Sequence, residues 1–132
     1  MTLWYQQLVK PPLTPPDWLF APVWTVLYIM IAVSIILFFT TRAKKRFWLG
    51  TAATLVNLTA NFLWAPLFFG LQNIPLSVVD ILVLDMSLVV MVHVYWQNRR
   101  WASMLLWPYL IWGLFASYLN IAMWVLNGFH KP

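Results

Sequence analysis

Charge is what this sequence has least of. Its 132 residues include 8 Lys or Arg and only 3 Asp or Glu, so 8% are charged while 63% are hydrophobic. Soluble domains carry about 25% charged residues. So few charges cannot cover a water-exposed globule of this length, which excludes a soluble enzyme and a disordered or collagen-like chain. Cysteine is absent altogether, so no disulfide framework, thiolate metal site or cysteine nucleophile exists. Phosphate-binding Gly-rich loops, a nucleophile elbow and His-Glu metal motifs are also missing. Two histidines, His93 and His130, do not make a zinc site by themselves. The chain opens Met1-Thr2-Leu3-Trp4-Tyr5 with no basic stretch ahead of an apolar one, so it lacks a signal-peptide pattern.

What is present reads as membrane. Spanning helices need about 20 predominantly apolar residues, and four runs qualify, at about 18–40, 47–70, 75–96 and 101–127. Three are uncharged, and the third holds Asp80, Asp85 and His93. The links at 41–46, 71–74 and 97–100 are short, which places successive helices antiparallel. The expectation is an all-α integral membrane protein: one domain over 1–132, four spanning helices, and a Pro-rich loop over 1–17. Residues 10–17 hold four prolines and cannot form a regular helix. Asp17 is placed to cap the first helix.

The net charge of +5 does not point to nucleic acid, because Arg42, Lys44, Lys45 and Arg46 crowd into one link between apolar runs. The links 41–46 and 97–100 together carry six Lys or Arg, and the opposite side of the bundle carries two. The positive-inside rule then puts those links in the cytoplasm, with the N-terminal loop and the C-terminus outside. A bacterial inner membrane is the expected location.

Polar and aromatic side chains inside the spans carry the functional information. Asn57, Asn61, Trp64 and Phe68 share one face of the second helix, and Trp112, Ala116 and Asn120, with Leu119 beside them, share one face of the fourth. Two readings apply to the asparagines: interhelical hydrogen bonds, worth ~0.6–2 kcal/mol in a membrane, or polar contacts in a ligand cavity. Asp80 and Asp85 are about 140° apart around a helix, so they are no acid–base pair. Asp85 lies deeper and needs a partner, and a relay from it to His93 is the alternative reading. Gly113 and Ser117 form a small-xxx-small pair, which suits either packing within the bundle or a homodimer seam. Pro22, Pro66 and Pro108 free backbone carbonyls and favour kinks. Loose sterol-type patterns occur at Leu3-x-Tyr5-x4-Lys10 and Val92-x2-Tyr95-x3-Arg99, and carry little weight. Ten tryptophans exceed what interfacial anchoring requires.

Several blocks together resemble the translocator protein, or tryptophan-rich sensory protein, family. They are Trp4-Tyr5, Lys10-Pro11, Pro15-Pro16-x-Trp18, Pro22-Val23-Trp24-Thr25-x-Leu27-Tyr28 and Asn61-x-x-Trp64-x-Pro66-x-Phe68-Phe69-Gly70. The last is Pro108-Tyr109-Leu110-x-Trp112-x-x-Phe115-Ala116-x-x-Leu119-Asn120, followed by Trp124 and Asn127. The resemblance implies a tight, usually homodimeric bundle in the lipid bilayer. It implies binding of porphyrins such as protoporphyrin IX or haem and of other flat hydrophobic ligands, with no obligatory cofactor. The implied cavity wall includes Trp24, Asn61, Trp64, Trp112, Ala116 and Leu119, with Tyr5 and Trp18 at a lid, and the helical stripes add Phe68 and Asn120 to the candidate ligand-binding residues. Light-dependent porphyrin breakdown is known of some relatives, and catalysis is otherwise not implied.

The family usually has five spanning helices, the first ahead of the Trp-Tyr loop. This chain opens at that loop, so four are expected. It also has Pro12-Leu13-Thr14 where many members carry a tryptophan. Ile121 and Val125 stand where the mammalian sterol motif has Tyr and Arg, so sterol binding through that motif is not expected. The rival functions are a small proton-coupled multidrug-type transporter using Asp85, and a membrane assembly subunit with no ligand.

Overall fold

The computed structural model describes residues 10, 14, 17–41 and 45–128. The described residues are helical, with no strand. α1 is Asp17–Phe39 and α2 is Phe47–Ala65, which runs on through one π-type turn, Pro66–Gly70. α3 is Ile74–Asn98, α4 is the short Arg100–Met104, and α5 is Trp107–Met123, extended by a second π-type turn, Trp124–Gly128. Four segments are long and apolar enough to cross a membrane: Ala21–Phe39, Phe47–Gly70, Ile74–Asn98 and Arg100–Leu126.

Their surfaces invert the pattern of a soluble protein. Phe62, Trp48, Met86 and Ile111 are 70–80% exposed, and in a bilayer these side chains meet acyl chains rather than water. Trp18, Trp101 and Trp48 stand out near span ends, where an indole can place its ring in hydrocarbon and its N–H near headgroups.

α3 is the central element, the most buried of the four spans. Its Leu84, Leu88, Met91, Val94 and Tyr95 meet Leu27, Ile31 and Phe38 of α1, Ala53 and Ala60 of α2, and Leu106 and Tyr109 around the start of α5. The Phe38 and Tyr95 rings stack at 4.3 Å and 6°. The Tyr95 hydroxyl pairs with Thr54 Oγ1 at 2.6 Å, and Thr54 also donates to the Gly50 carbonyl. Gly50 lets α2 approach this stack, since a Cβ there would lie 2.7 Å from Phe38.

Side chains hold the turns. Asn73 caps α3 by accepting from the Leu76 N–H, with Pro75 in the first turn where its missing N–H is harmless. Asn98 closes the other end. Its Nδ2 donates to the Lys45 and Val94 carbonyls, and its Oδ1 accepts from the Lys45 N–H. That clamp steadies Arg46, which sits in the left-handed region at φ 53°, a conformation unusual for a residue with a Cβ. The capping expectation for Asp17 concerns a side chain outside the described residues.

The fourth span is not one continuous helix. It breaks between Met104 and Trp107. Pro108 explains this, because its ring would clash with the carbonyl of Met104 four residues back and it has no N–H to give. Serines stitch the break to its neighbours: Ser103 Oγ donates to the Val92 carbonyl, and Ser34 Oγ donates to the Ala102 carbonyl.

Gly50→Leu is expected to destabilise the bundle by about 1–3 kcal/mol through overpacking against Phe38, read by unfolding in a detergent titration. Gly70→Ala is the matched control. A Cβ at Gly70 meets nothing within 4 Å, so the midpoint should not move.

Candidate functional site: an aromatic cavity between the helices

A cavity of about 320 Å³ lies between α1, α2, α3 and α5. That is at the lower end of small-molecule sites, roughly 300–1,000 Å³. Each helix supplies its wall at helical spacing. Trp24 and Tyr28 of α1 are one turn apart. Asn61, Trp64 and Ala65 of α2 continue into Phe68 and Phe69 of the π-type turn. Ile81 and Leu84 form the α3 floor, and Trp112, Ala116, Leu119, Asn120 and Met123 descend α5. Pro66 ends the regular α2 ladder, and the wider turn that follows carries Phe68 and Phe69 onto the same wall as Trp64.

Two aromatic groups make up most of the wall. Trp24 meets Trp112 edge-on at 6.3 Å and 89° and lies 5.6 Å from Tyr28. In the second group, Trp64 stacks on Phe68 at 4.9 Å and 16° and meets Phe69 edge-on. Such pairings add about 0.5–1.5 kcal/mol beyond area burial and hold the rings in fixed orientations.

The two amides in the wall are anchored from behind. Asn61 Nδ2 donates to the Tyr109 hydroxyl at 2.8 Å, and Asn61 Oδ1 accepts from the Tyr28 hydroxyl at 3.1 Å. Tyr109 passes its proton bond on to Asn57 Oδ1 at 3.0 Å, and Asn57 Nδ2 reaches the Leu84 carbonyl. Lower down, Trp64 Nε1 donates to Asn120 Oδ1 at 2.7 Å, and Asn120 Nδ2 donates to Ser77 Oγ. The lining therefore offers apolar burial, ring faces and two oriented amides. Those features suit noncovalent capture of a flat, largely apolar molecule. Among the described residues, no three His, Asp or Glu side chains group to hold a metal.

Eight of the ten residues proposed from the sequence meet at this cavity: Trp24, Asn61, Trp64, Phe68, Trp112, Ala116, Leu119 and Asn120. Trp18 does not line it. It is 72% exposed, because it sits in the first turn of α1, above the level of Trp24. Tyr5 lies outside the described residues, as does the proposed lid that includes it. Asn57 shares the face of Asn61 but is fully buried behind the wall. Asn61 and Asn120 each bridge helices and also line the cavity.

Asp85 stands apart. Its Oδ2 accepts from Ser117 Oγ, and its Oδ1 faces Gly113, where a Cβ would approach to 2.8 Å. Gly113 and Ser117 thus pack α5 onto α3 inside the bundle and are buried there, so this pair is unavailable as a dimer seam. His93 is exposed near the far end of α3, away from the cavity.

Sequence reasoning did not select Tyr28, Ala65, Phe69, Ile81, Leu84 or Met123. Tyr28 follows Trp24 by four residues and Met123 follows Asn120 by three, so the spacing itself could have found them. Ile81 and Leu84 are aliphatic residues among many others around α3 and left no such mark.

Comparison with known proteins identifies the family. The family model of the TspO/MBR family matches residues 1–125. The chain belongs to that family. It is 44% identical over 127 residues to the "Tryptophan-rich protein TspO" of Archaeoglobus fulgidus, covering 94% of this chain and 80% of the relative. Against the "Translocator protein" of Bos taurus the identity is 32% over 126 residues, covering 94% and 75%. Against the "Tryptophan-rich sensory protein" of Cereibacter sphaeroides it is 31% over 126 residues, covering 94% and 77%. This TspO/MBR family member is thus an integral membrane protein, and its described residues include four helices long and apolar enough to cross a membrane.

Tyr109→Phe should destabilise the bundle by ~1–2 kcal/mol, since it strands a buried Asn57 oxygen and removes the acceptor of Asn61. The measurement is the same detergent unfolding titration, with Tyr118→Phe, on the exposed face of α5, as the comparison.

Proposed function

We propose that this protein is a membrane-embedded binder of porphyrins and related flat hydrophobic ligands, acting in their sensing, transport or handling. One observation carries the reading: Trp24, Trp112, Trp64 and Phe68 line one cavity whose wall amides are held in place by Tyr109 and Ser77. A tetrapyrrole has two wide apolar faces and a polar rim. Indole and phenyl rings bury the faces, and Asn61 is positioned to meet a rim group by exchanging its bond from Tyr28. Protoporphyrin IX or haem is the ligand chemistry that fits, and no cofactor is required for binding.

The names of the relatives, translocator and sensory protein, accord with ligand handling in a membrane. The charge bias supports an arrangement with links 41–46 and 97–100 in the cytoplasm, in a bacterial inner membrane, and the family resemblance supports a homodimer. The proton-coupled transporter reading draws nothing from Asp85, which is directed at Gly113 and Ser117 rather than into the cavity.

The test is tryptophan quenching by protoporphyrin IX in detergent. Wild-type protein should quench saturably. Trp112→Ala and Asn61→Ala should weaken binding by about tenfold, the equivalent of 1.4 kcal/mol for one lost stacking or polar contact. Linear quenching that ignores both substitutions would mean partitioning into the micelle and would sink the proposal.

A further inference from the structure

The chain keeps its two signs of charge apart. Six of its eight basic residues, Arg42, Lys44, Lys45, Arg46, Arg99 and Arg100, belong to the two links at one end of the bundle. Its three acidic residues are Asp17, Asp80 and Asp85. Asp17 opens α1 at the opposite end, and Asp80 lies near the start of α3, also toward that end. Asp85 is engaged by Ser117, about 16 Å along α3 from Trp96. The basic end therefore has no counter-charge of its own, and the anions that a membrane surface offers it are lipid phosphates.

Arg100 is braced at this end. Its guanidinium carbon lies 5.1 Å from the centroid of the Trp96 ring, and Trp96 stacks on Trp107 of α5 at 5.9 Å and 22°. A guanidinium laid on an indole uses its flat face and keeps its N–H edge for an anion. Arg99 and Arg100 are exposed, and Trp96 and Trp107 are 42% and 43% exposed. The antiparallel register that pairs these rings also pairs Asp85 with Ser117. Deeper on the same two helices, Val89 and Leu114 are 54% and 56% exposed. An aliphatic track thus descends from the ring pair on the outer side of α3 and α5. It lies away from α2, since Trp96 and Val89 are about 160–180° around α3 from Asp80. Tyr95 is fully buried and stacked on Phe38, so the sterol-type pattern that includes it presents no ring to a lipid.

We propose that the end of α3 and the start of α5 bind an anionic phospholipid of the phosphatidylglycerol type. Its phosphodiester is bonded to Arg100, its ester region rests on the Trp96–Trp107 pair, and one acyl chain follows Val89 and Leu114. Charge selects this occupant. The phosphodiester of phosphatidylglycerol carries a negative charge with no cation beside it, and a guanidinium can hold it through two parallel bonds. Choline and ethanolamine headgroups bring a cation of their own, which the basic links repel. Indoles settle with the ring among the upper acyl chains and the N–H toward the headgroups, so the ring pair sets the depth at which the phosphate meets Arg100.

Phosphatidylglycerol, phosphatidylcholine and phosphatidylethanolamine of equal chain composition would each be titrated into delipidated protein in detergent, following the thermal unfolding midpoint by circular dichroism. Glycerol phosphate serves as the same anion without chains. Phosphatidylglycerol should stabilise the wild type at about tenfold lower concentration than the other two lipids, the worth of one charge-assisted contact. Added salt should shrink that preference. Arg100→Gln should abolish it, and Trp96→Leu, which keeps the charge but removes its brace, should weaken it. Lys45→Gln removes the same charge from the other link and should leave it intact. Equal responses of the wild type to the three lipids would overturn the proposal, as would a preference that survives Arg100→Gln. Equal losses in Lys45→Gln and Arg100→Gln would also overturn it, leaving diffuse charge and no site. Stabilisation by glycerol phosphate at the lipid's own concentration would replace the lipid with a soluble anion. None of these readouts depends on porphyrin binding.

Discussion

Hydrocarbon offers no hydrogen-bond partner, so polar atoms in a span are driven to find one within the bundle. The arrangement of this protein follows from that requirement more than from hydrophobic burial, because lipid and core are equally apolar. The Tyr109 hydroxyl is the clearest case. It takes a bond from Asn61 and gives one to Asn57, and Asn57 fixes the Leu84 carbonyl. Three helices are brought into register by one oxygen and two amides. Thr54 with Tyr95, Ser103 with Val92 and Ser34 with Ala102 repeat the device toward the other end of the bundle.

The cavity follows from this bracing. Asn61 and Asn120 hold α2 to α5 directly and through Trp64, and the large rings between them cannot interdigitate fully. Rings that meet edge-on leave space that aliphatic side chains would fill. Pro66 adds to this by widening the end of α2, which turns Phe68 and Phe69 toward the same space. The site is rigid for the same reason that the bundle is, since its polar groups also carry the interhelical bonds.

Asp80 and Asp85 show how depth and neighbours separate two identical side chains on one helix. Asp85 is buried against α5, where Ser117 donates to it and Gly113 makes room. Asp80 turns outward near the membrane boundary, in a groove of aliphatic side chains. Neither lines the aromatic cavity.

The sequence alone determined the membrane class, the four spans among the described residues and the two stripes of candidate residues on the second and fourth of them. Each is a local property: transfer free energy sums along a segment, and side chains three and four apart share a face whatever surrounds them. Family membership was legible in the same blocks, from Pro22-Val23-Trp24 to Leu119-Asn120. Which stripes face each other was not local. Asn57 and Asn61 look alike in sequence, yet one is sealed behind the wall and the other lines it, because Tyr109 from a distant part of the chain stands between them. Ile81 and Leu84 were invisible for a related reason. In lipid a core face and an outer face are both apolar, so a helix such as α3 carries no pattern that says which side is inward, and only packing against its neighbours decides it.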